Sequence, residues 1–215
     1  MLLIQDDRKI SITGGLLLLG LTLATGMAVY NVMRQQIEST LGRGLDVALQ
    51  GKARLFESQI SEGLAATRAI VNRPFLIRSL EQIKAQPHNI KALQDLQRNV
   101  DSLILADFTA ASILDNDGKE LARVGKFSPD HTPKLPINIR SSAWLYWNDG
   151  FILRVTKDIL DQTGVSVGSL TTEKNLLQLT ESFSKIWEIG KTGGFIVCAP
   201  PSWASDQMHC LISQI

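Results

Sequence analysis

The chain has 215 residues, of which 44% are apolar, and 22 lysines and arginines stand against 21 acids. The cations are scattered among the acids, and no basic stripe interleaves with aromatics, which argues against a nucleic-acid partner. Two cysteines and three histidines at no ligand spacing make no closed metal site. No G-x-S-x-G segment and no other catalytic set is present, so the chain reads as a non-enzyme with no cofactor.

Residues 1–9 form a short tail. The 24 residues Ile10 to Met33 then carry no charged side chain. As a helix they are about 36 Å long, enough to cross a hydrocarbon layer about 30 Å thick with some tilt. Leu16 to Leu19, Leu21, Leu23, Ile10, Ile12, Val29 and Val32 together favour insertion by roughly 3–6 kcal/mol. A cleaved signal peptide is the rival, with Arg8 and Lys9 leading and Ala24-Thr25-Gly26 as the cleavage site. The apolar run exceeds a usual signal core of about 7–15 residues and continues past that site. Arg8 and Lys9 favour an N-terminus inside, whereas Arg34, Arg43, Lys52 and Arg54 beyond the span count the other way. The rule weakens for long translocated domains. Gly20, Ala24 and Ala28 recur every fourth residue, a spacing that lets two helices approach closely, so a homodimer is one reading and chance the other.

Past the span, about 180 residues remain, enough for a domain with a sizeable core. From Arg34 to Asn72 apolar residues such as Ile37, Leu41, Leu45, Leu49, Phe56, Ile60 and Leu64 recur at helical spacing. The span is expected to continue into this long helix. Pro74 restarts a helix to Ala85, and His88 to Leu105 is again amphipathic. Phe108 to Leu114 reads as a strand, Asp115-Asn116-Asp117-Gly118 as a turn and Glu120 to Val124 as the returning strand. Phe127 to Pro136, with three prolines, reads as a loop. Trp144 to Trp147 and Phe151 to Thr156 make a second pair about Asn148-Asp149-Gly150. Asp161-Gln162-Thr163-Gly164 turns into Val165 to Thr171. Glu173 to Trp187 is expected to be a helix, Ile189 to Gly193 a turn and Phe195 to Cys198 a strand. Helices first and an antiparallel sheet after them predict an α+β domain. Cys198 and Cys210 flank a turn-rich segment, and a disulfide between them suits an oxidising compartment; two unpaired thiols are the alternative.

The order membrane helix, long helix, shorter helices, then Leu114 to Glu120 and Asp161 to Leu170, resembles the extracytoplasmic Cache sensor domains of bacterial signalling receptors. That family repeats a strand ending in an acidic turn and a second Asp-x-x-Gly turn before a Gly-apolar strand. The resemblance implies a PAS-like antiparallel sheet with flanking helices and a small-molecule pocket on one face. It also implies an output module beyond a second membrane span. This chain departs there, and the expectation for it is a periplasmic domain held in the inner membrane by a single pass, with the C-terminal side outside. On this reading residues 34–187 are the sensor and residues 188–215 open a second lobe that stops short, as in a truncated receptor lacking its output module.

Site candidates follow from chemistry and from the resemblance. Trp144 and Tyr146 fall on one strand face, and Arg140 could hold a carboxylate with two parallel hydrogen bonds. Aromatic walls with a few polar anchors are what small-molecule sites need. Amino-acid-binding members of the family use a set that Arg140, Trp144 and Tyr146 partly resemble, with Glu173 where the family's last acid falls. Arg123 and Arg154 are further strand-borne cations. The expected ligand is an amino acid, carboxylate or amine. The competing readings are core aromatics with solvated arginines, and, for the whole chain, a membrane-tethered scaffold that binds nothing small. Gly190-Lys191-Thr192 lacks the upstream glycine of a phosphate loop, since Lys185 stands there. Asp115 and Asp117 belong to a turn rather than a calcium loop.

Overall fold

The computed structural model describes residues 3–137, 142–184, 196–199 and 209–212. One helix, α1 (Leu3–Val71), opens the chain. The chain divides into two compact units, Met1–Ala53 and Arg54–Ile215.

The first unit holds the part of α1 up to Ala53, and the rest of the helix belongs to the second. Leu16, Leu17, Leu18, Leu19, Leu21 and Leu23 are all exposed, at 60–69% of their full surface. A helix apolar on every side has no watery face to prefer. With a mean hydropathy of 1.8 over its most apolar window, it is long and apolar enough to cross a membrane by length and composition.

The second unit is α+β. Helices α2 (Pro74–Ala85) and α3 (Ile90–Asp101) lead through a 3₁₀ turn at Ser102–Ala106 to the strands. Arg73 sits in an extended conformation before Pro74, as proline requires of its predecessor, and proline opens α2 where a missing N–H costs nothing. Asn89 caps α3, its side-chain oxygen accepting from the Ala92 N–H. The strands are β1 (Ala110–Leu114), β2 (Glu120–Gly125), β3 (Lys134–Pro136), β4 (Ala143–Trp147), β5 (Phe151–Leu160) and β6 (Ser166–Asn175). They form one antiparallel sheet in the order β2-β1-β6-β5-β4-β3.

Both Asp-x-x-Gly turns are built alike. Asp115 Oδ1 accepts from the Asp117 and Lys119 N–H groups, and Gly118 takes φ +80°. Asp161 Oδ1 accepts from the Thr163 and Val165 N–H groups, and Gly164 takes φ +82°. The aspartate side chain organises its own loop while glycine supplies the left-handed residue. Asn116 ties the two turns together through the Ser166 carbonyl.

One sheet face packs on helices. Ala111, Ile113, Ile159 and Leu170 share a core with Leu76, Leu80, Leu96, Val100 and the end of α1 at Ile70 and Val71. A second cluster joins Ile60 to Leu145, Phe151, Leu153 and Leu179. Between them the buried Thr67 hydroxyl meets that of Thr172 at 2.8 Å, and Lys174 reaches Glu62 at 3.1 Å. Gly63 lies against Leu153, where a side chain would displace the leucine.

Three departures from the sequence reading bear on the site. The proline-rich loop 127–136 ends in strand β3, which holds Pro136 because β3 is an edge strand. Strand β5 runs on to Leu160 rather than stopping at Thr156. Glu173 opens no helix: it lies in β6, paired in register with Arg154 and Ala110, and the helix α4 is Leu177–Ser184. The ladder on both sides of β6 outweighs the weak strand preference of Glu, Lys and Asn.

Strands β7 (Ile196–Ala199) and β8 (His209–Ile212) form a hairpin bridged by Cys198 and Cys210. Leu211 is buried in the same cluster as Leu135 and Leu145, so the hairpin contributes to the core of the sheet unit. The turn expected at 189–193, with Gly190, Lys191 and Thr192, lies outside the described residues, as do Lys185 and Trp187.

Candidate functional site

The sheet order sets the site. Strands β2 and β3 are consecutive in sequence yet lie at opposite edges. Five inter-strand gaps of about 4.8 Å separate them by roughly 24 Å. The eight residues 126–133 that join Gly125 to Lys134 reach at most about 30 Å when fully extended. The connection is therefore a strap with little slack, laid across the sheet face opposite the helices.

The strap is fastened near mid-sheet. Glu173, 1% exposed, accepts at Oε1 from Arg154 Nε at 2.6 Å and at Oε2 from the Ser128 N–H at 3.0 Å and Ser128 Oγ at 3.3 Å. Arg154 Nη2 donates to the Ser128 carbonyl, and Nη1 donates to Asp130 at 3.1 Å. A carboxylate so deeply buried is tolerable only when paired and hydrogen-bonded on both oxygens, which this one is. The ring of Tyr146 lies beneath, its centroid 4.4 Å from the Arg154 guanidinium, and Phe127 lies 5.3 Å away.

A cleft of 360 Å³ opens beside the strap, within the range of small-molecule sites. Its walls carry Arg123, Arg154, Phe127, Ser112, Ser128 and Thr171. Arg123 also stacks on Phe127 at 5.3 Å and holds Glu120 at 2.6 Å. Ser112 donates to the same Glu120 at 2.9 Å. Three carboxylates, Glu120, Asp130 and Glu173, thus face two guanidiniums.

The charges are tuned by these contacts. The hydrogen bond from Arg123, with help from Ser112, holds the Glu120 carboxyl below its ordinary value although burial opposes it. The Glu120 hydrogen bond in turn raises Arg123. Burial alone would lower Arg154, but the hydrogen bond and charge of Glu173, with Tyr146 and Asp130 adding to them, carry it above its ordinary value. Both guanidiniums stay charged at any physiological pH.

The residues singled out in the sequence are distributed as follows. Arg123 and Arg154 line the cleft. Glu173 lies under it, its oxygens taken by Arg154 and Ser128, which leaves it unsuited to meet an amine. Tyr146 is buried at 2% exposure beneath Arg154. Trp144 lies beside Lys134, whose Nζ stands 5.2 Å from its ring centre. The aromatic wall of the cleft is therefore Phe127 rather than Trp144 and Tyr146. Arg140 lies outside the described residues. The sequence pattern does not single out Phe127, Ser128 and Asp130; the signal it offers is an aromatic followed by Ser-Pro-Asp in a long connection.

Two other depressions compete. One of 630 Å³ lies between α2 and α3 among Arg78, Gln82, Lys91 and Asp95. Another of 380 Å³ lies at the β1–β2 turn over Leu80 and Leu121. Neither joins two arginines to a buried carboxylate, as the sheet cleft does. Among the described residues no cluster of His, Cys, Asp and Glu could hold a metal.

No family model and no curated protein matches this chain. Among solved structures, the chain is similar to the periplasmic domain of LuxQ from Vibrio cholerae. That match covers 69% of this chain and 73% of the other, with 18% identity and a TM-score of 0.35.

Proposed function

We propose that the chain is a membrane-anchored, extracytoplasmic sensing domain of a Cache-like receptor, and that its sheet cleft takes a small carboxylate-bearing molecule. The observation that carries this reading is the pair Arg123 and Arg154, each 5.3 Å from the Phe127 ring centre and both lining one cleft. Guanidinium is the side chain best shaped for a carboxylate. Ser112, Ser128 and Thr171 add hydroxyls for orientation, and Phe127 gives an apolar wall of the kind such sites use.

The anchor is α1. Its exposed leucines favour lipid, and the Cys198–Cys210 bridge accords with an oxidising compartment outside the cytoplasm. The small residues Gly20, Ala24 and Ala28 would serve a homodimer in the bilayer. Ligand binding would act by favouring one arrangement of strap and sheet over another, which requires different affinity for the two.

A thermal-shift screen of the full chain in detergent, using amino acids, small carboxylates and amines, tests the ligand. Carboxylate-bearing compounds should raise Tm, and Arg123→Ala should abolish the effect. Stabilisation by amines lacking a carboxylate, or by nothing, would remove the proposal. A reporter fused to the C-terminus should be active only outside the cytoplasm.

A further inference from the structure

Asp130 and Glu173 both hold Arg154, but on unequal terms. The Glu173 carboxylate is buried and is gripped by Arg154 Nε and by Ser128. The Asp130 carboxylate is 91% exposed and meets Arg154 Nη1 at 3.1 Å. One is a fixed counter-charge and the other rests on the outer edge of the guanidinium.

From these terms we infer that Asp130 is a displaceable internal carboxylate, occupying the place on Arg154 that the carboxylate of a ligand takes. The inference rests on the reading that the cleft binds carboxylates. Arg154 already faces two carboxylates, so a third would crowd negative charge around one cation. Exchange of Asp130 for the ligand keeps the count at two; addition does not. Exchange is also mechanically simple. Ser128 remains fastened to Glu173, and the Thr132 N–H closes a turn onto the Pro129 carbonyl at 3.0 Å. Asp130 sits in that turn with its side chain in solvent, so rotation of the side chain frees Arg154 Nη1 while the strap stays in place. An ion pair whose acid stands in solvent is cheaper to break than one buried on both sides, which suits an occupant meant to leave. Asp130 thereby sets the affinity threshold and weights the cleft against anions that cannot compete with it.

The test is calorimetric titration of the full chain in lipid nanodiscs with succinate, and with uncharged succinamide as a control probe. Asp130→Asn should bind succinate about two- to fivefold more tightly than the wild type, with succinamide unchanged. Glu81→Gln makes the same change of charge on the exposed face of α2 and should leave succinate affinity unaltered. Unchanged or weaker succinate binding by Asp130→Asn, with the wild type still binding, overturns the inference and leaves the proposed function standing. An equal gain in Glu81→Gln also overturns it, because the effect would then be net charge alone. Absence of saturable succinate binding in both wild type and Asp130→Asn overturns the inference together with the reading beneath it.

Discussion

Arg154 and Glu173 stand opposite each other in the β5–β6 register, and their charged groups meet at 2.6 Å on the sheet face opposite α2 and α3. Burial of this pair fastens the crossing segment 126–133. The two side chains differ in what their loss leaves behind. Arg154→Ala strands a carboxylate that is almost fully buried, which costs about 3–5 kcal/mol. Asp130→Asn removes an exposed partner and costs less than about 1 kcal/mol. Urea unfolding of the full chain in detergent, followed by tryptophan fluorescence, measures both. Equal losses for the two variants would show that the pair does not fasten the strap.

Gly125 ends β2 where the strap departs. Its φ of +68° is left-handed, and an added Cβ would strike the Thr109 carbonyl oxygen. Gly125→Ala should cost at least about 1–2 kcal/mol from backbone conformation alone, with the clash in addition. Gly118→Ala shares the positive φ but meets open space, so it should cost less. The same unfolding experiment ranks them, and a reversed order would contradict the packing at Thr109.

Tyr146 gives a pH signature. Burial raises its hydroxyl above the ordinary 10.0; Arg154 opposes this, and Asp130 and Glu173 support it. The folded state therefore prefers the neutral phenol. That preference is fully present below the unfolded value of about 10, and stability is lost as pH rises from there through the folded value. Tyr30→Phe leaves Tyr146 as the sole tyrosine, so ultraviolet absorbance reads it directly. The midpoint should lie above that of a free tyrosine amide, and a midpoint at or below it would mean that the ring is not buried under Arg154.

The parts legible in the sequence are those set by local chemistry. Both Asp-x-x-Gly turns stand where glycine and aspartate require them, and Pro74 and Asn89 mark the starts of α2 and α3. Arg123 and Arg154 read as strand-borne cations, and both line the cleft. Other features depend on which strands become neighbours, which period-two patterns do not encode. Glu173 carries a residue type that avoids strands, yet it is held in β6 by pairing with β1 and β5. Phe127, Ser128 and Asp130 become site residues only because β2 and β3 sit at opposite edges, which sends an ordinary-looking loop over the sheet. Trp144 and Tyr146 stand out in the sequence for their aromatic surface, but the tertiary fold covers Tyr146 and gives the wall to Phe127.

Arginine side-chain NMR on the full chain in nanodiscs tests the cleft most directly, using Nε–H signals assigned by substitution. Saturating succinate should shift the Arg123 and Arg154 signals and leave that of Arg98, an exposed arginine on α3, unmoved. Succinate that binds while shifting neither cleft arginine, or shifts all three alike, would contradict carboxylate recognition in this cleft.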